Sequence, residues 1–565
     1  MIFNTADPLR SFSVPYLGTF SLPATDTELL KGLQQPEVHR WTLVRIKECE
    51  EYLRTLRSVH NSAAPINASL PVELITRIFL DIEVDSLQDI VVMHVCRAWR
   101  AILLSTPEFF ANLLGVMKEI EDYPQADNGA LCTLLRLSGT RELTVHEPRF
   151  QDIHLDTGLL VPHLNRIRSL TVVLSVPEFL VFHQLLKSGA MPVLADLVVG
   201  YWVWQPWSKE DDLRRLVPWT EEDVPSLRHL ELPGRLFARA AAYAPLLSLT
   251  LKHVKTEANT DIVECPSLRI ELPGRFLKVL SRCTRLRILD LWNALPTRRA
   301  SWDAIHRSFP AIDFPELREL RIHENRPHLL SSFLSHITFP ATASLMLHGG
   351  DTMFSNLLPL RHRETLLGSP TALHFSSPRE GSRLKVSTLR VRREPEGQTS
   401  LELQVRTSDE LLARDYTESL LADLKTLFPS SIDISELELG CSWARFHEFN
   451  TGMLDSFPHT KRLTLIQRAR EGSKHVLESV LTAPSSGLGR FVCPMLEELV
   501  IEGKIPPAAD LAPCLLEIMQ TRGQSRLKSL RVIWPWSPDQ TQEMRQAQAL
   551  LEVTLANFVD RVCID

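Results

Sequence analysis

Long apolar runs, paired cysteine motifs and a surplus of either charge are all missing from this 565-residue sequence. Each absence excludes something. No stretch approaches the ~18 consecutive apolar residues that span a bilayer, so no membrane association is expected. The first residues, MIFNTADPLRSFSVPYLGTF, lack a basic start followed by an apolar core, so no secretory signal is expected. Net charge is −6, too near neutral for a nucleic-acid footprint. The nine cysteines are dispersed and form no Cys-x-x-Cys, which argues against both a disulfide framework and a zinc module. Free thiols in apolar contexts suit a reducing compartment, cytoplasm or nucleus. Catalytic signatures are missing as well. There is no P-loop and no Gly-x-Gly-x-x-Gly. His323 and His328 are one residue too far apart for a zinc-protease helix, and Pro327 interrupts them. His348-Gly349-Gly350-Asp351 comes without a nucleophile elbow and reads as a turn. A non-catalytic protein without cofactor or metal is the expectation.

What is present is globular: 44% hydrophobic and 23% charged residues. Residues 1–26 read as an irregular, proline-punctuated segment. Residues 27–60 read as amphipathic helix, with a break at Pro36. Leu29, Leu30 and Leu33 form a first stripe. Val38, Trp41, Arg45, Cys49, Tyr52, Leu56 and Val59 then recur at helical spacing. That helix either packs on its own chain or forms a short coiled coil. After the break at NSAAPINASLP, residues 66–114 read as a small helical domain. A first helix starts at Leu70-Pro71 and runs to about Leu80. Val84 to His94 carries a second and Val95 to Leu103 a third. Pro107 ends the third, and Phe109 and Phe110 begin a last short helix.

From residue 130 to 565 one phrase recurs, Leu-x-x-Leu-x-(Leu/Val/Ile). Its thirteen copies, seven beginning with Leu, three with Ile or Val and three with Thr, include LRHLEL (Leu227 to Leu232), LRILDL (Leu286 to Leu291), LRELRI (Leu317 to Ile322), VSTLRV (Val386 to Val391) and LKSLRV (Leu527 to Val532). Helix-like segments such as PHLLSSFLSH lie between copies. Strand plus return helix at this period is the order of a leucine-rich repeat. One repeat cannot bury its apolar residues alone, so stacking is required. The expected fold is an α/β solenoid: a helical module followed by an irregular repeat array with a curved parallel sheet. A helix after the last strand (DQTQEMRQAQALLEVTLANFVDRV) would close its end.

Strand alternation turns Leu320 and Ile322 inward and Glu319, Arg321 and His323 outward. Across the copies the outward set mixes acids, Asp290 among them, with bases such as Lys252, Arg390 and Arg392. A mixed face suits a protein ligand better than a polyanion. Trp202, Trp204 and Trp207, with Trp219 nearby, either anchor a partner or fill a gap beside the array.

The stretch SLPVELITRIFL, a spacer, and VCRAWRAILLSTPEFFANL resembles the F-box, most closely the F-box-like domains of fungal proteins, with Phe110 where that family often has Trp. The resemblance implies docking to the Skp-family adaptor of an SCF-type cullin–RING ubiquitin ligase, with the repeats holding a protein substrate. It implies an adaptor-binding surface of Leu70, Pro71, Leu74, Ile78, Phe79, Val95 and Trp99. Ile78, Val95 and Trp99 stand equally well in the module's own core. The corresponding substrate face would draw on Glu319, Arg321, His323, Arg390, Arg392, Trp202 and Trp204. An F-box scaffold that binds without ubiquitination is the alternative.

Overall fold

The computed structural model describes residues 9–14, 18–63, 69–82, 87–116, 128–146, 160–201, 216–234, 236–237, 245–252, 273–296, 302, 305, 309–350, 352–367, 370–376, 385–392, 399–407, 414–428, 434–441, 454, 456–467, 493–503, 508–521, 526–533 and 541–564. The chain divides into two compact units. One comprises Met1–Met117 with Tyr123–Arg141, the other Lys118–Asp122 with Glu142–Asp565.

In the first unit, β1 (Leu9–Val14) and β2 (Gly18–Pro23) form an antiparallel hairpin, with Phe12 opposite Phe20. The expectation of an irregular start is therefore corrected: alternating apolar residues on both sides of a short turn pair with each other. The expected helix from residue 27 is two helices, α1 (Ala24–Leu30) and α2 (Gln35–Ser62). The break lies before Pro36, at Gly32, whose φ of +86° leaves the helical region. Pro36 instead sits in the first turn of α2, where its missing N–H costs nothing. Gln34 and Glu37 close a capping box there. Next come α3 (Val72–Asp81), a 3-10 helix (Leu87–His94), α4 (Arg97–Leu104), α5 (Pro107–Val116) and α6 (Asn128–Leu137). The second expected α-helix of the 66–114 segment is thus 3-10. Its polar anchors come from neighbours: Asn61 Nδ2 donates to the Val95 carbonyl at 3.0 Å and Arg100 Nε to the Met93 carbonyl at 2.9 Å. Phe109 and Phe110 are buried edge-to-face, with centroids 5.4 Å apart.

The second unit is built on one 16-stranded sheet. Its members begin with β3 (Leu143–His146), β4 (Ile167–Leu174), β5 (Asp196–Tyr201), β6 (His229–Pro233), β7 (Ser248–Lys252) and β8 (Ile288–Trp292). A separate short pair is formed by β9 (Ile312–Asp313) and β11 (Ile337–Thr338). The large sheet continues with β10 (Glu319–Glu324), β12 (Ser344–Gly349), β13 (Ala372–Ser376), β14 (Lys385–Arg392), β15 (Thr399–Thr407), β16 (Glu436–Cys441), β17 (Arg462–Gln467), β18 (Glu498–Gly503), β19 (Ser529–Ile533) and β20 (Val562–Ile564). Sequence neighbours pair in parallel along most of it. All three apolar residues of the phrase point into the core: Leu317, Leu320 and Ile322 are buried, as are Leu286, Leu289 and Leu291. Helices carry the other side of that core. Leu329, Leu330, Phe333 and Leu334 of α9 (Pro327–Leu334) are buried, as are Phe276, Leu277 and Leu280 of α8 (Pro273–Leu280). These helices join through rings: Phe237, Phe276 and Phe333 stand 5.9 and 6.1 Å apart in turn, and Trp302 lies 6.4 Å from Phe333. In α7 (Val176–Lys187), Ser175 and Glu178 form a capping box at the start.

Two features differ from a uniform parallel array. VSTLRV lies in β14, which runs antiparallel to both β13 and β15. The spatial order β16-β13-β14-β15-β12 shows the chain skipping two places after β12 and filling them on the way back. The connections 377–384 and 393–398 are too short for a parallel crossover, which needs a dozen residues or more, so the chain reverses. At the far end, the expected capping helix is α10 (Thr541–Leu555), and it is followed by β20, which pairs in parallel with β19 and takes the sheet edge. Among the described residues no helix is long and apolar enough to cross a membrane.

Candidate interaction surfaces

In the first unit, Pro71 precedes α3 at φ −55°, and its carbonyl accepts from the Leu74 and Ile75 N–H groups at 3.1 and 3.2 Å. The proline fixes the direction in which the helix leaves. The helix has two apolar faces. Ile75 and Phe79 are buried, Phe79 at 2% exposure. Leu74 at 49% and Ile78 at 46% face outward, with Val72 and Pro71 beside them exposed and Leu70 half-buried. Phe79 thus belongs to the interior and leaves the expected docking set. Its ring meets Trp99 edge-on at 5.2 Å. Trp99 is half-buried on α4, where the Cys96 thiol accepts from the Trp99 N–H at 3.4 Å and caps the helix. Val95 is exposed, as are Val91 and Leu104. The alternatives for Ile78, Val95 and Trp99 therefore divide: Ile78 and Val95 face solvent, and Trp99 packs on Phe79. Exposed apolar side chains gathered on so small a unit are a common mark of a binding surface.

In the second unit, strand register sorts the outward residues into rows. Glu231, Thr250, Asp290, Arg321, Met346, Glu402, Arg390 and His374 follow one another in a single row across neighbouring strands. This brings Arg321 and Arg390, distant in sequence, into one line. The adjoining row holds Lys252, Trp292, His323, His348 and Gln404. Charges on these rows are largely paired internally. Lys252 meets Glu231 at 2.5 Å, Arg321 meets Glu319 at 2.6 Å, Arg390 meets Glu402 at 3.1 Å and His374 meets Glu438 at 2.6 Å. Burial works against the Glu438 charge, but the His374 bond and the nearby Arg392 and Arg390 hold its carboxyl below the usual range. Arg392 is exposed on β14.

Asp290 departs from expectation. It stands in an outward row yet is only 8% exposed. Burial raises its pKa, against the hydrogen bond from the Trp292 side chain and the charges of Arg321 and Lys252. His323 is pushed down, by burial and by Arg321. Its ring stacks on Trp292 at 3.7 Å and 12°, and the His348 ring follows at 5.5 Å. Trp292 was not singled out from sequence, and His348, read there as the start of a turn, lies instead within β12 (Ser344–Gly349). The signal was there: each directly follows a copy of the phrase, as in LDLW, LRIH and LMLH, so each occupies the offset of His323. Trp219 is buried, 5.4 Å from the ring of His183 and tilted against Phe179, so it fills the core. Trp202, Trp204 and Trp207 lie outside the described residues. Among those described, no group of three or more His, Cys, Asp or Glu side chains is placed to hold a metal ion.

No protein-family model matches the sequence, and no curated protein matches it.

Proposed function

We propose that this chain is the substrate-recognition subunit of an SCF-type cullin–RING ubiquitin ligase. In this reading it docks to the Skp-family adaptor through residues 66–114 and holds a target protein on the outer face of its sheet. The second unit is then an irregular leucine-rich-repeat solenoid, a reading supported by the strand and helix alternation. The observation that carries the proposal is the two-faced helix α3. Ile75 and Phe79 hold it to its own unit, which leaves Leu74 and Ile78 exposed behind a proline that fixes the first turn. With Leu74 and Ile78 about half exposed at the start, covering what remains contributes roughly 1 kcal/mol each, and several such residues together drive helix docking.

The test is co-expression with a Skp-family adaptor and capture of the complex. Leu74→Asp with Ile78→Asp abolishes capture, because two buried carboxylates replace two buried hydrocarbon groups. Unchanged capture by the double variant would sink the docking assignment. Ubiquitin transfer to a captured target, or its absence, then separates a receptor from a scaffold.

A further inference from the structure

We infer that the outward face around Trp292 receives the guanidinium of an arginine on the partner protein. Four observations meet there. First, Trp292 ends β8 and keeps 41% exposure although one ring face is stacked on His323 and its side chain donates to Asp290. It is a held, open aromatic platform. Second, Asp290, which accepts from the Trp292 side chain, is buried, and its Oδ1 has no hydrogen-bond partner. A buried carboxylate oxygen without a donor is costly and rare, and marks a place where a donor is missing. Third, the neighbouring cations are already engaged: Lys252 on Glu231 and Arg321 on Glu319. Asp290 is the carboxylate of this patch that has no ion pair among the described residues, so the surplus charge is negative. Fourth, burial and Arg321 disfavour a charge on the His323 ring, so it does not oppose an incoming cation.

An anion would meet Asp290, and an uncharged ring would leave its charge uncompensated. A cation stacked on the indole face is attracted both by the ring and by the charge of the adjacent carboxylate. Its planar, weakly hydrated form, the guanidinium, stacks better than an ammonium. The row Lys252–Trp292–His323–His348–Gln404 crosses five strands, about 20 Å at ~4.8 Å per strand, which gives an extended segment flanking the arginine a polar track to lie along. The inference rests on the target-binding half of the proposal above and is independent of adaptor docking.

The experiment uses the full chain labelled with 5-fluorotryptophan. Trp292→Phe identifies the Trp292 resonance among the eleven tryptophans. The probes are three capped peptides, Gly-Ser-X-Ser-Gly, where X is arginine, citrulline or lysine. The arginine peptide shifts the Trp292 signal saturably, the citrulline peptide does not, and the lysine peptide binds more weakly. Asp290→Asn weakens the arginine peptide roughly tenfold while the other tryptophan signals stay in place. Equal responses to arginine and citrulline, stronger binding of lysine, or no response at all would each overturn the site. Should Asp290→Asn fail to fold, the arginine–citrulline comparison on the unaltered chain decides alone. A negative result removes the arginine site only, because capture of a target by the chain is scored separately.

Discussion

Glu324 closes β10 almost wholly buried, accepting the Arg326 N–H at 3.2 Å. Burial pushes its pKa up to about 7, against the nearby Arg326 charge. The folded state therefore binds a proton that the unfolded chain, with a carboxyl near 4.5, has released. Stability from this group is full below pH 4.5 and is lost as pH rises through 7, by about 3 kcal/mol. His183 behaves oppositely. Burial, with the Lys187 charge beside it, lowers its imidazole from 6.5 to about 4. Its contribution is full above pH 6.5 and is lost as pH falls through 4, again by about 3 kcal/mol. The two slopes oppose each other between pH 4.5 and 6.5. Glu324→Gln leaves the His183 slope alone, so urea midpoints rise with pH across that window. His183→Phe, which keeps an aromatic ring against Trp219, makes them fall. Parallel curves for both variants and the unaltered chain would show that neither group titrates as described.

At the scale of elements, α3 divides its apolar residues by face, and the two faces respond differently to substitution. Phe79→Ala removes a ring packed on Trp99 and costs roughly 3–5 kcal/mol, read as a lowered Tm of the first unit. Leu74→Asp and Ile78→Asp leave that Tm within a few degrees, because both side chains already face solvent. A Tm loss for the outward pair as large as for Phe79→Ala would contradict this division. The turns after the strands are equally specific. Gly350 stands so close to the Asn325 carbonyl oxygen that any Cβ would collide with it. Gly350→Ala therefore lowers the Tm of the second unit, whereas Gly189→Ala, with open space around it and a φ of +67°, costs only the backbone strain of that conformation, of order 1 kcal/mol.

For the whole molecule, all thirteen copies of the phrase form strands of the large sheet, and β13, β15 and β20 supply the other three. The phrase was legible because its recurring apolar positions answer to one requirement, burial on one side of a strand. The outward alternation at Glu319, Arg321 and His323 followed from the same period. Strand direction was not legible. VSTLRV carries the same inward residues whichever way it runs, and its reversal comes from short connections. Nor were the three additional strands evident. Ala372–Ser376 and Val562–Ile564 are too short to show a period, and Thr399–Thr407 carries one without the phrase.

The sequence by itself determined where the thirteen strands of the recurring phrase form, and which side of each is apolar. These follow from local spacing and from the cost of leaving hydrocarbon in water. Tertiary structure decided what depends on neighbours far along the chain. It set the order in which strands pair, placed Phe79 inside and Ile78 outside one helix, buried Asp290 in an outward row and stacked Trp292 on His323. Burial and ring contact are properties of the assembled surface, and no residue carries them alone.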